Sequence, residues 1–186
     1  MSGQFPILTT DRLLLRVPTE ADLPAYAPIF ADPRVMRYIG DGSLRTPERV
    51  AQSVQRCTDL FERTGTGLLL VTDRETGEIY GDCFVVPILH SGRDPNDPAS
   101  RGPERELGYR LKFDAWGRGY ATEAARAVLE HALDPAGGGL EEVLAVTVPE
   151  NEASQRVLLK IGMERAGLTD RFYGMETALF VKRRQD

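Results

Sequence analysis

The sequence predicts a mixed α+β fold: a central twisted, mostly antiparallel sheet of about six to seven strands, flanked by about four helices. Three observations carry this. Two β-rich runs at 68–72 and 79–86 are joined by a turn through Glu75, Thr76 and Gly77, which makes a hairpin. Apolar residues recur at helical spacing within 47–63 and 120–133. The continuous apolar run 143–148 has the pattern of a strand buried on both faces.

The elements follow in order. Leu13, Leu14, Leu15 and Val17 form a short strand closed by Pro18. Thr19 and Asp22 give a capping signal, and a helix is expected over 20–30. Thr46 and Pro47 start a second helix, 47–63, whose Val50, Val54, Cys57 and Phe61 share a face. Gly81, inside the second hairpin strand, marks a bulge or a close backbone approach. Residues 90–103 read as a long polar loop with three prolines and two glycines. A strand at 105–111 leads through Gly117 and Gly119 into a helix over 120–133. Its stripe is Ala121, Ala124, Ala125, Val128, Leu129 and Ala132. After a break at 135–139 come the strand 143–148 and a helix at 152–161 ending at Gly162. Strands at 164–168 and 177–181 complete the order, with no repeat and no second domain.

At 186 residues the chain suits one domain with a full core. The net charge of −5 argues against nucleic acid as a partner, and a mildly acidic surface favours a cationic substrate. No stretch is long and apolar enough to span a bilayer, so no membrane partner is expected, and residues 1–10 show no targeting signal. Cys57 and Cys83 lack a CxxC spacing and read as reduced, buried thiols, in keeping with a cytoplasmic location. His90 and His131 have no partner spacing, so no metal is implied.

The informative stretch is ELGYRLKFDAWGRGYATE, residues 106–123, which places a strand, a glycine turn and a helix start in succession. Gly117 and Gly119 let the chain turn tightly and let a ligand approach without a Cβ in the way. The N–H groups around Tyr120, Ala121 and Thr122 then point out of the helix end and suit an anion such as a pyrophosphate. A purely structural turn is the competing reading. A dinucleotide fingerprint fits less well, because Thr122 stands where the third glycine belongs and the preceding strands form a hairpin, not a βαβ unit. A P-loop is excluded by the missing GK(S/T).

WGRGYATEA resembles the coenzyme A-binding motif of the GNAT superfamily of N-acetyltransferases. That motif runs Gln or Arg, two residues, Gly, one residue, then Gly or Ala. It falls on Trp116, Gly119 and Ala121, with Trp116 a departure at the first place. TDRLLLRVPTEADL, ADPRVMRYIG, GEIYGDCFV and ELGYRL resemble successive segments of the ribosomal-protein N-acetyltransferases of the RimJ/RimL type. Asn151 to Ser154, with the following VLLKIGM, is similar to their NxxS…KxGF segment, Met163 replacing Phe. The resemblance implies the GNAT fold, acetyl-coenzyme A (acetyl-CoA) as cofactor, and a primary amine as acceptor, either a small molecule or a protein N-terminus. The protein is then a monomer or a homodimer.

It also implies roles. Cofactor contacts fall on Leu111, Phe113, Trp116, Gly117, Arg118, Gly119, Tyr120, Ala121, Thr122, Asn151 and Ser154. Leu111 and Phe113 would offer strand-like backbone hydrogen bonds to the pantetheine arm. Glu106 matches a glutamate that acts as base through water; a solvated strand carboxylate is the alternative. Ser154 matches a serine near the coenzyme A sulfur, against a part in starting the last helix with Asn151 as N-cap. Tyr173 is a further candidate acid, or a core aromatic. Arg118 reaches a phosphate or lies in solvent. Two other functions stay open: a non-catalytic acyl-CoA-binding module on the same fold, and an N-terminal modifier docked on a ribosome or other large partner.

Overall fold

The computed structural model describes residues 7–94 and 97–185; residues 1–6, read as free of a targeting signal, and residues 95 and 96 of the expected loop lie outside them. Eight strands form one sheet: β1 (Leu8–Thr9), β2 (Leu13–Arg16), β3 (Leu68–Asp73), β4 (Ile79–Leu89), β5 (Arg101–Leu111), β6 (Glu142–Thr147), β7 (Glu164–Thr169) and β8 (Thr177–Arg183). Their order is β1-β2-β3-β4-β5-β6-β8-β7, and every neighbouring pair is antiparallel except β5 and β6. Among the described residues five α-helices accompany it: α1 (Leu23–Tyr26), α2 (Pro33–Met36), α3 (Pro47–Thr64), α4 (Tyr120–Leu133) and α5 (Glu152–Lys160).

Both faces of the sheet are covered, and β3 shows why its sequence is apolar throughout. Leu69 and Val71 join a core that includes Val128 and Leu129 of α4 and Leu158 of α5. Leu70, between them, packs into a second core with Tyr26, Phe30, Met36, Val50 and Val54 from the first helices. Successive strand residues point to opposite faces, so a strand buried on both sides has no polar alternation to display.

Three expectations need correction. The helix expected over 20–30 is broken into a 3-10 turn at Glu20–Asp22, α1, and a second 3-10 turn at Ala27–Ala31. Pro24 and Pro28 start these pieces, because each lacks the N–H that a continuous helix would need. The loop expected over 90–103 is shortened from both sides. Strand β4 continues to Leu89 through a register shift at Pro87, and β5 begins at Arg101. The glycine corner does open a βαβ unit: β5 pairs with β4 antiparallel but with β6 in parallel, α4 forming the crossover. β1 and α2 are short elements that the sequence pattern did not reveal.

Gly81 marks both features expected of it. The β3–β4 register shifts there, and a Cβ on Gly81 would lie 1.9 Å from the Arg110 carbonyl oxygen. The bulge is followed by Asp82, fully buried, which takes three contacts from Arg110 (Nε at 3.1 Å to each oxygen, Nη2 at 2.9 Å) and the Tyr26 hydroxyl at 2.7 Å. This network ties β4, β5 and α1 together. Asp82→Ala leaves the Arg110 guanidinium without its counter-charge and is expected to cost about 3–5 kcal/mol in urea unfolding. Replacing both partners by Leu and Met should cost less than the single change.

Candidate active site

The segment after β5 is built tightly. A 3-10 turn at Phe113–Ala115 leads to the Gly117-Arg118-Gly119 corner, where both glycines have positive φ (72° and 82°), a region that penalises any side chain. Gly119 is the N-cap of α4 and offers no side-chain cap. Glu123 N–H closes the first helical bond to Gly119. Among the described residues, none of the amides of residues 117–122 finds an acceptor. A Cβ on Gly117 would meet nothing within 4 Å, so the approach to these amides is open on that side. Donors converging at the positive end of a helix fit a phosphate or pyrophosphate.

The corner is clamped from the β1–β2 turn, a feature that no local pattern announces. Arg12 donates to Glu123 through Nε (2.7 Å) and to the Arg118 carbonyl through Nη1 (2.9 Å), and it lies over the Tyr120 ring at 4.6 Å. Glu123 also accepts from the Thr10 hydroxyl at 2.6 Å and from Arg12 N–H at 2.9 Å. Burial works against the Glu123 charge, but these donors hold its carboxyl below the ordinary range. Tyr120 is itself buried and stacked on Tyr80, ring centroids 4.6 Å apart, so its side chain anchors α4 and only its amide faces outward. Arg118 stacks over the same ring at 5.0 Å. Trp116 and Phe113 remain exposed (46% and 40%), and the Trp116 indole donates to the Leu111 carbonyl at 2.7 Å, so that acceptor is already engaged.

Strand β5 carries two kinds of side chain on its two faces. Leu107, Tyr109 and Leu111 turn to the core shared with α4 and α5. There the Tyr109 hydroxyl lies 2.9 Å from Ser154 Oγ and 3.1 Å from the Ser154 carbonyl. Ser154 sits in the first turn of α5, its N–H capped by Asn151 Oδ1 at 3.2 Å. Sequence reasoning missed Tyr109, since a tyrosine in an apolar strand reads as core.

Glu106 belongs to the opposite face. It is 7% exposed, and its Oε2 accepts a short hydrogen bond from the Tyr173 hydroxyl. Burial pushes its carboxyl from 4.5 up to about 7, against the opposing pull of Tyr173, Arg101 and Arg110. Tyr173 comes from the β7–β8 connection and has φ 59°, positive for a residue with a side chain. The connection is pinned at several points. Tyr173 N–H donates to the Leu89 carbonyl (3.2 Å), Phe172 bridges His90, and Arg171 and His90 both reach Glu104 at 3.0 Å. Burial, then the neighbouring Glu106, raise the Tyr173 hydroxyl well above its ordinary value, so its proton stays on the phenol and points at Glu106.

The structure therefore brings Glu106 to Tyr173, and Ser154 to Asn151 and Tyr109, as two groups on opposite faces of β5. The solvated-carboxylate reading of Glu106 is excluded by its burial. His90 is part of the Glu104 cluster, and His131 lies 3.2 Å from the Gly65 carbonyl and stacks on Phe61.

Comparison with known proteins agrees with this architecture. Residues 12–164 match the model of the acetyltransferase (GNAT) domain. The uncharacterized N-acetyltransferase YoaA of Bacillus subtilis (strain 168) is 29% identical over 164 residues, covering 88% of this chain and 86% of that protein. The crystal structure of an acetyltransferase from Agrobacterium tumefaciens str. C58 is similar at TM-score 0.76 and 27% identity, covering 98% of this chain and 97% of that one. RimL, a ribosomal L7/L12 alpha-N-protein acetyltransferase solved in complex with coenzyme A, shares the fold at TM-score 0.76 and 16% identity, covering 96% and 98%. With a family model spanning most of its length, the chain belongs to the GNAT acetyltransferases.

Proposed function

We propose that this protein transfers an acetyl group from acetyl-CoA to a primary amine, the whole chain working as one cytoplasmic acetyltransferase domain. The observation that carries the reading is Glu106: a buried carboxyl pushed up to about 7, on the strand that runs directly into the bare helix N-terminus. RimL's complex with coenzyme A, on the same fold, supports the choice of cofactor.

When bound, acetyl-CoA supplies a thioester carbonyl already activated for attack. The amides around Gly117 to Thr122, with Arg118, would hold its pyrophosphate, and Trp116 and Phe113 would lie along the cofactor. The backbone at the end of β5 and in the turn after it, about Leu111 and Phe113, would align the pantetheine arm, Asn151 at the N-cap of α5 would contact it, and a strand N–H would polarise the carbonyl.

The amine must be neutral to attack. At pH 7 about one lysine side chain in a few thousand is neutral, against roughly 10% of α-amines. Glu106 takes the proton, directly or through water, and a base whose pKa lies near the working pH does so efficiently. Tyr173 engages Oε2 and leaves Oε1 as the oxygen that receives it, which makes Tyr173 a positioning residue. Ser154 protonates the departing thiolate. The Tyr109 hydroxyl, 3.1 Å from the Ser154 carbonyl and 2.9 Å from Ser154 Oγ, holds the serine in place.

Three outcomes are expected. Gly119→Glu places a side chain at φ 82° and a negative charge among the phosphate donors; coenzyme A affinity should fall by roughly a hundredfold or more in calorimetry, strain alone costing about 1–3 kcal/mol. Unchanged affinity sinks the placement. Turnover, followed as thiol release with a panel of amines, should rise with pH through about 7. Glu106→Gln should remove that rise and slow turnover by about 10²–10⁴ while sparing coenzyme A binding; a binding module without chemistry would show no turnover to lose.

The same pKa shift predicts a stability change. The folded state holds the Glu106 proton to higher pH than the unfolded chain does. The Glu106 contribution to stability is therefore full below pH 4.5 and is lost as pH rises through about 7. Glu106→Gln should be more stable than the parent at pH 8, by on the order of 3 kcal/mol, and nearly equal to it at pH 4.5. Urea unfolding at the two pH values measures this.

A further inference from the structure

We infer that the amine acceptor carries an anionic group, a carboxylate or a phosphate, several bonds from its nucleophilic nitrogen, and that Arg45 receives that group. The inference rests on the reading of the chain as an amine acetyltransferase and narrows the acceptor within it.

Arg45 lies between α2 and α3, on the sheet face that carries Glu106. Its backbone N–H donates to the Phe30 carbonyl at 3.1 Å, and its guanidinium lies over the Phe30 ring at 5.5 Å. The residue is half-buried. Among the described residues its guanidinium enters no ion pair. A planar cation laid on an aromatic ring and taken partly out of water, with no carboxylate beside it, is a site for an external anion.

The charges around it sharpen the point. Arg110 shares the Phe30 ring, at 4.8 Å, but its charge is spent on Asp82 within the buried network. Asp82 in turn is saturated by Arg110 and Tyr26, so it cannot serve Arg45 as a close partner. Burial, and then repulsion from Arg110, depress the Arg45 pKa below its ordinary value, and an incoming anion would relieve both. The chain as a whole has a net charge of −5, yet Arg45, Arg101 and Arg110 on this face are set against Asp82 and the Glu106 carboxyl. Local charge thus opposes the cationic acceptor that the overall composition favoured.

Arg45 and Arg110 lie over the same Phe30 ring, at 5.5 and 4.8 Å, so Arg45 neighbours the Arg110 end of β5 and not the Glu106 position. Glu106 and Arg110 are four residues apart on β5, about 13 Å between Cα atoms at the usual rise. An amine at Glu106 and an anion at Arg45 must belong to an extended molecule, not to an α-amino acid bound through its own adjacent carboxylate.

The test is calorimetry on the full chain saturated with coenzyme A, titrated with 6-aminohexanoate, 6-aminohexyl phosphate and the neutral 6-aminohexanamide. At least one anionic amine should bind roughly tenfold tighter than the amide, the equivalent of one charge-assisted contact; which one does so distinguishes a carboxylate from a phosphate. In Arg45→Gln the preference should collapse to about one, and Arg45→Lys should keep part of it; retained coenzyme A affinity shows that each variant is folded. Equal binding of anionic and neutral amines by the parent protein, a preference that survives Arg45→Gln, or binding of none of the three overturns the inference. Thiol release from acetyl-CoA with the same amines reports separately: a preference in binding without any turnover contradicts the transferase reading and leaves the anion site standing.

Discussion

Strand β5 pairs with β4 from Gly81–Leu111 to Leu89–Arg101, but with β6 at one position only, Glu106 opposite Leu144, and the site depends on that parting. Parallel neighbours cannot be joined by a tight turn, so the chain must leave β5, cross through α4 and return. The crossover puts the N-terminus of α4 directly after the strand's end. Beyond the single ladder position, the backbone of β5 has an edge that β6 does not occupy, and an extended ligand can pair with such an edge. Helix dipole and open strand edge are thus both consequences of one divergence, which begins beyond Glu106.

Two buried carboxyls show how environment decides chemistry. Asp82 and Glu106 occupy neighbouring strands on the same face, and both are withdrawn from water. Asp82 is met by a guanidinium and a phenol in good geometry, which makes it a structural anion. Glu106 is met by one phenol and by the more distant Arg101 and Arg110, so burial outweighs attraction and the carboxyl titrates near neutrality. One acid is taken up by the ion pair that holds the fold, and the other is left with a carboxyl suited to proton exchange near neutral pH.

The parts of the candidate site are held from outside it. Arg12 and Thr10 fasten the glycine corner through Glu123, and the Glu104 cluster fastens the connection that delivers Tyr173. The strained backbone of Tyr173 is sustained by these contacts, since an unfavourable conformation persists only where its surroundings over-determine it. Rigid support of this kind lets the amides of residues 117–122 stay aligned without partners of their own.

The sequence by itself determined the fold class, the order of the main strands and helices, the glycine corner and the family resemblance, because each is written in local pattern: period, turn chemistry and motif. It misjudged the first helix, where Pro24 and Pro28 outweighed the capping signal, and the loop after β4, where pairing with β5 extended both strands past Pro87. It nominated Glu106 and Tyr173 separately but could not join them, since they stand 67 positions apart in the chain. Only the tertiary structure decided that Glu106 is buried, that Tyr109 meets Ser154, that Arg12 clamps the glycine corner, and that Arg45 lies half out of water with no ion-pair partner among the described residues. Those facts concern which side chains share a dielectric environment, and that is fixed by packing between segments distant in the chain, which no local pattern encodes.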